Sequence, residues 1–352
     1  MFLRMVVPVL LAAALNPAGD AVAAKPLVFG IYPGGAAGAV GPQGQTRPED
    51  PELRLARLEE LRGDRRPFVL HLYDSFTTRA DAAAVPQPLA GEIDTYLAHD
   101  FQIELVLTYR PAASEGDVAG FTEFVRSRVR QLGPHAGVTS LQVTNEVNVV
   151  GAPSAADGAY RGARDALVQG VIAAKDEARR NGFDQLEIGF NWAHQLGPSE
   201  TRFWKALGRG GKTFARSVDW VGLDAYPGTW GPYSGAKNSA RATRAMTEAL
   251  HVLRYRYLPL AGLKNVPLHV SEAGYPTGPG RSARRQSQVM RAIVKAVTEN
   301  RRKYRVTNFR WFNLRDADSA SPSFESQYGL LRDDYGSKPA FSTYRAVIAR
   351  HG

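Results

Sequence analysis

From Leu27 onward the chain alternates short β-rich runs with longer stretches whose apolar residues recur at helical spacing, and it does so eight times. The β-rich runs fall at residues 27–32, 68–73, 103–109, 140–145, 186–192, 218–225, 266–271 and 307–313. The helical stretches fall at 51–62, where Leu55, Leu58 and Leu61 share a face, and at 89–98, 160–180, 201–207, 241–256, 285–298 and 340–349. Another helix carries Phe121, Phe124, Val125, Val129 and Leu132 on one side, with Asp117 as its N-cap. Asn181-Gly182 stops the long one. Eight strand-then-helix units predict an α/β chain folded as a single (β/α)8 TIM barrel. A doubly wound open sheet seldom needs eight regular repeats, and Gly34-Gly35 after the first strand does not continue as a dinucleotide loop.

The first residues read differently. Arg4, an apolar run from Met5 to Leu15 and the small residues Ala21-Val22-Ala23-Ala24 before Lys25 have the layout of a secretory signal. The run is about half of what spans a bilayer and contains Pro8, so an anchor is the weaker reading. The expectation is a signal peptide over 1–24 and a barrel over 25–352, exported to the exterior or the cell envelope, monomeric and without a membrane span. The absence of cysteine excludes thiol chemistry and cysteine-ligated metals. The net charge of +10 is spread as arginines over helix faces with no basic tract interleaved with aromatics, so nucleic acid is not an expected partner. There is no His-Glu-x-x-His pair and no Gly-x-Ser-x-Gly elbow, so neither a catalytic metal nor serine esterase chemistry is expected, and no cofactor is called for.

In a barrel the carboxyl ends of the strands face the functional cleft. Here they carry His71 and Tyr73, Tyr109-Arg110, Asn145-Glu146, Asn191-Trp192-Ala193-His194, Tyr226, Glu272 and Trp311. Amides, carboxylates and aromatic rings in one place suit a carbohydrate, whose hydroxyls take polar partners and whose C–H faces lie on rings. A glutamate closing an apolar strand is costly unless it is used or paired. Glu146 and Glu272 close strands four and seven, on opposite sides of the mouth. Two such carboxyls, one protonated and one ionised, can cleave an acetal between them. Asn145 is then a candidate partner for the sugar 2-hydroxyl and Tyr226 for Glu272. Trp311, His71, Arg110, Asn191, Trp192 and His194 are further candidates for substrate contact. Trp230 and Tyr233, in the loop after strand six, are candidate platforms. The segments 33–51, 229–240 and 316–327 are expected to shape the cleft.

Asn145-Glu146, Glu272 and Trp311 resemble, in order and strand number, the large clan of retaining glycoside hydrolases built on (β/α)8 barrels. The segment from Ser271 to Thr277 is similar to the nucleophile signature of β-1,3-glucanases, with Ala273 and Tyr275 where Thr and Trp are usual. Tyr328-Gly329-Leu330 and Lys338-Pro339-Ala340-Phe341 resemble the closing unit of several families in that clan. The resemblance implies Glu146 as acid/base and Glu272 as nucleophile, acting on a carbohydrate without a cofactor. Two other classes fit the composition: a non-catalytic carbohydrate-binding barrel, and a cell-envelope protein that adheres through its positive charge.

Overall fold

Asp50 starts the first helix as an N-cap should. Its carboxylate accepts the amides of Glu52 and Leu53 at 3.0 and 2.9 Å, and Pro51 takes the first helical position. This helix, α1 (Pro51–Arg62), is followed by α2 (Gln87–Ala98), α3 (Val118–Leu132), α4 (Ala163–Asn181), α5 (Pro198–Gly208), α6 (Gly211–Ser217), α7 (Ser239–Val252), α8 (Ala283–Tyr304) and α9 (Pro339–His351). Asp117 caps α3 through the amide of Gly120 at 2.8 Å, and Gly182 ends α4 with φ 71°. The computed structural model describes residues 26–35, 47–235 and 238–352. The expected signal at 1–24 lies outside them, as does much of the loop expected over 33–51.

The strands are β1 (Val28–Ile31), β2 (Phe68–Phe76), β3 (Gln102–Tyr109), β4 (Val138–Val143), β5 (Glu187–Ala193), β6 (Trp220–Ala225), β7 (Leu268–Ala273) and β8 (Val306–Trp311). They close in chain order into a parallel barrel, with β8 pairing back to β1. No helix among the described residues is long and apolar enough to cross a membrane. Several boundaries differ from the sequence reading, three of them with a consequence described below. β4 stops at Val143, two residues early, because Thr144 adopts φ 67° and leaves the ladder. β7 begins and ends two residues later than expected, so Glu272 lies within the strand rather than after it. The helix read over 241–256 is α7 followed by a π-helical turn, Leu253–Tyr257, which aims the buried Arg254 at the carbonyls of Tyr304 and Val266, 2.8 Å from the latter. The short α6 has no apolar repeat long enough to reveal it.

Strand parity separates two kinds of side chain. Outward-facing Phe190 and Trp192 pack on Trp204 of α5, and Phe309 and Trp311 pack on Tyr344 of α9. Many inward-facing positions are polar. Fully buried Glu104 of β3 meets His71 of β2 at 2.7 Å, Ser140 of β4 at 3.0 Å and Arg310 of β8 at 3.3 Å, with His269 of β7 at 3.5 Å. Burial alone would raise the Glu104 carboxyl, but Arg310 and the two histidines outweigh it and hold it well below the usual range. Arg310 crosses the barrel because Gly30 has no side chain: a Cβ there would lie 2.6 Å from Arg310 Cδ and 2.2 Å from the Val69 carbonyl.

Candidate active site

Glu272 reaches the mouth of the barrel from β7 and is 7% exposed. Tyr73 of β2 donates its hydroxyl to Glu272 Oε1 at 2.6 Å, and Tyr226, just past β6, donates to Oε2. Burial first, and then the charge of Glu272, push both phenols well above their ordinary value, so they remain protonated donors. A carboxyl whose two oxygens both accept phenol protons has the arrangement that suits a carboxylate.

Glu146 is presented differently. After β4 the chain turns through Thr144 (φ 67°) and Glu146 (φ 47°), two non-glycine residues in the left-handed region. The turn is stapled from two sides. Asp157 Oδ2 accepts the amides of Asn145 and Tyr109, each at 2.7 Å, and Asn191 Oδ1 accepts the amide of Glu146 at 2.8 Å. The carboxyl of Glu146 is surrounded by protein with an edge open to the cleft. Burial, then Glu272, then Asp157 push it up to about 8. Asp157 itself is fully buried, and burial raises it to about 7 against the opposing effect of its two amide bonds.

Asp224, inward on β6, is the third carboxyl. It accepts Ser271 Oγ at 2.6 Å and also the Asn191 amide, and it is raised well above the ordinary value by burial and then by Glu272 and Glu146. Glu146, Asp224 and Glu272 each contribute an oxygen to a set lying within 4.8 Å of one another. Such a trio has the spacing to hold a cation, but both oxygens of Asp224 and of Glu272 already accept protein N–H or O–H groups. Burial and mutual repulsion push Glu146 and Asp224 toward their protonated forms. Above the trio lies a cleft of about 490 Å³ whose walls include Trp230, Phe312 and Tyr328.

The cleft brings together Glu146, Glu272, Asn145, Tyr226, His194, Tyr73 and Trp230 of the residues singled out from sequence. Asn145 donates its side-chain amide to the Ala155 carbonyl at 2.9 Å and its Oδ1 accepts from Asn191 Nδ2 at 2.8 Å, so it lines the wall already engaged. His194 stacks on Tyr233 at 5.8 Å and is lowered by burial to about 4, hence neutral. The other candidates for substrate contact lie off the wall. His71 is buried between Glu104 and the Tyr73 hydroxyl, the latter at 3.1 Å. Asn191 lies beneath the floor, bonded to Asn145, Asp224 and the Glu146 amide. Arg110 points its Nε to Asp157, 3.9 Å away. Trp192 and Trp311 have outward parity and belong to the helix-packed shell, where Trp192 Nε1 donates to Glu200 at 2.7 Å. The aromatic that turns into the cleft after β8 is Phe312, one residue beyond Trp311. Sequence reasoning missed Asp224, Asp157, Phe312, Tyr328 and the bond from Tyr73 to Glu272. The alternating parity of β6 and β8 was the available signal for Asp224 and Phe312.

No known protein-family pattern matches the chain, and no curated protein matches it in sequence. Solved structures do match it in fold. One is a β-glucuronidase from an uncultured Clostridium (TM-score 0.57, 12% identity, covering 92% of this chain and 50% of that one). Another is GH5_18 from Bifidobacterium longum subsp. longum (TM-score 0.62, 15% identity, 92% and 79%). A third is a glycoside hydrolase family 17 β-1,3-glucanosyltransferase from Rhizomucor miehei (TM-score 0.56, 12% identity, 89% and 96%). This chain thus spans half the length of the glucuronidase and nearly all of the glucanosyltransferase. The likeness is one of fold: the barrel is of the kind that glycoside hydrolases use.

Proposed function

We propose that the protein is a retaining glycosidase in which Glu146 is the acid/base and Glu272 the nucleophile. One observation carries the reading: a carboxyl oxygen of each lies within 4.8 Å of the other, and their surroundings are opposite. Direct attack on an anomeric carbon uses carboxyls about 5–5.5 Å apart, whereas inversion through water needs about 6.5–9.5 Å. Glu146, raised to about 8, holds a proton at neutral pH, and Glu272 is held by two phenol donors.

Glu146 gives its proton to the glycosidic oxygen as Glu272 bonds to the anomeric carbon and the C–O bond to the leaving group breaks. Once Glu272 is esterified its negative charge no longer raises Glu146, so Glu146 remains a carboxylate and takes a proton from water. The water oxygen bonds to the anomeric carbon, the ester to Glu272 breaks, and both carboxyls return to their starting states. A sugar hydroxyl in place of water would transfer the glycosyl group by the same steps. We further propose export through residues 1–24 and action as a monomer. Turnover of aryl β-glycosides by wild type, and its loss in Glu272→Gln and in Glu146→Gln with the fold retained, tests the reading. A wild-type protein that binds sugars but turns over none of a broad panel is a binding barrel instead.

A further inference from the structure

The chain as a whole is strongly basic, with 44 lysines and arginines against 34 acidic residues. Charge alone would point to an acidic polymer. The cleft has the opposite character. Four carboxyls line it, Glu146, Asp224, Glu272 and Glu325, and no lysine or arginine does so among the described residues. The histidine in the wall, His194, is held neutral by burial. Residues 36–46 contain no charged side chain, and residues 236–237 add a single cation, Lys237.

Of the cations behind the wall, Arg281 is committed elsewhere. Arg281 lies between the rings of Tyr275 and Phe324, at 5.0 and 4.8 Å, and donates to the Gly228 carbonyl at 3.1 Å and to Thr229 Oγ1 at 3.2 Å. Arg110 faces Asp157. What the wall does offer is flat apolar surface. Trp230 stays 46% exposed while its indole N–H is pinned to the Tyr328 hydroxyl at 2.6 Å, so the ring presents a fixed face to the cleft. A sugar bearing only hydroxyls can lay its C–H face on that ring and give its O–H donors to the carboxyls. A ring carboxylate or sulfate would find no lysine or arginine in the described lining to pair with, and would lie beside Glu272.

We infer that the cleft is built for glycosides whose rings carry no acid group, neutral hexose or pentose chains, and that it rejects uronic acids and sulfated sugars. This deepens the proposed glycosidase function and rests on the same site. The test uses binding and turnover separately. Calorimetry on the full chain carrying Glu146→Gln compares neutral β-linked gluco-, manno- and galacto-oligosaccharides with oligomers of glucuronic and galacturonic acid. Wild type is assayed in parallel on aryl β-glucoside, β-mannoside, β-galactoside and β-glucuronide. The expected result is binding of at least one neutral series with the uronate series weaker by about 100-fold or more, the size of a close uncompensated like-charge contact. Uronates binding as tightly as neutral oligomers, or no neutral series binding at all, overturns the inference. Neutral oligomers that bind while wild type turns over no glycoside uphold it and sink the glycosidase reading.

Discussion

Replacing Glu146 by glutamine should make the folded protein more stable, and increasingly so as the pH rises. Below its ordinary value of 4.5 Glu146 is protonated in both folded and unfolded chains and contributes no difference. Between 4.5 and about 8 the unfolded chain ionises while the folded one keeps the proton, so stability falls as pH rises; above 8 the loss is complete. The rise from 4.5 to about 8 corresponds to about 5 kcal/mol. The open edge of the carboxyl lets cleft water screen part of this, so we expect about 2–4 kcal/mol to be expressed. Glutamine keeps the shape and removes the ionisation. Urea unfolding followed by tryptophan fluorescence should give wild type and Glu146→Gln within about 1 kcal/mol at pH 5, with the variant ahead by about 2–4 kcal/mol at pH 8.5. A variant no more stable than wild type at the higher pH, or one whose advantage does not change with pH, would refute the idea that the site holds Glu146 protonated against its environment.

Three further outcomes follow from the same contacts. Tyr226→Phe removes a charge-assisted bond to Glu272 while keeping the ring, and should lower kcat by about 10–100-fold with little change in unfolding midpoint. The Tyr73 hydroxyl has one proton; donating it to Glu272 leaves its oxygen to accept from His71 Nε2, whose other nitrogen faces Glu104. His71→Gln, which keeps a donor near that position, should therefore retain more kcat than His71→Phe, which should lose about tenfold; equal losses would count against this arrangement. Arg310→Met leaves Glu104 buried without its main cation and should destabilise by about 3–5 kcal/mol in urea unfolding, with Glu104→Gln added to it recovering part of the loss. The stabilisation from Glu104 is present above its ordinary value of 4.5 and is lost as pH falls below it, so the Arg310→Met penalty should shrink in acid.

The barrel was legible because its units are local: each strand and helix announces itself within a few residues, and only α6 and the π-helical turn gave no periodic signal. The two glutamates were legible for the same reason, since a carboxylate at the end of an apolar run stands out. The differences arise from the face of the strand and from depth within the barrel. Trp192 and Trp311 are near strand ends, but one step along a strand reverses the face, and large aromatics at the outward parity fill the shell beneath α5 and α9. His71 and Asn191 have the inward parity yet sit deep in the barrel, where they orient Tyr73 and the Glu146 turn without reaching the cleft. Asp157 could not be read at all: its work, holding the amides of Tyr109 and Asn145, depends on a loop returning to strand ends far from it in sequence.

The most direct measurement is covalent trapping. In a 2-deoxy-2-fluoro glycosyl fluoride of a neutral sugar, the 2-fluorine slows both formation and hydrolysis of the glycosyl-enzyme while the fluoride leaving group restores formation alone, so the intermediate accumulates and can be found by peptide mass spectrometry. The expected result is one glycosyl group per chain, attached to the peptide that contains Glu272, and no label in Glu272→Gln. Label on Glu146, Asp224 or any other residue, or rapid turnover with inverted configuration and no label, would contradict it.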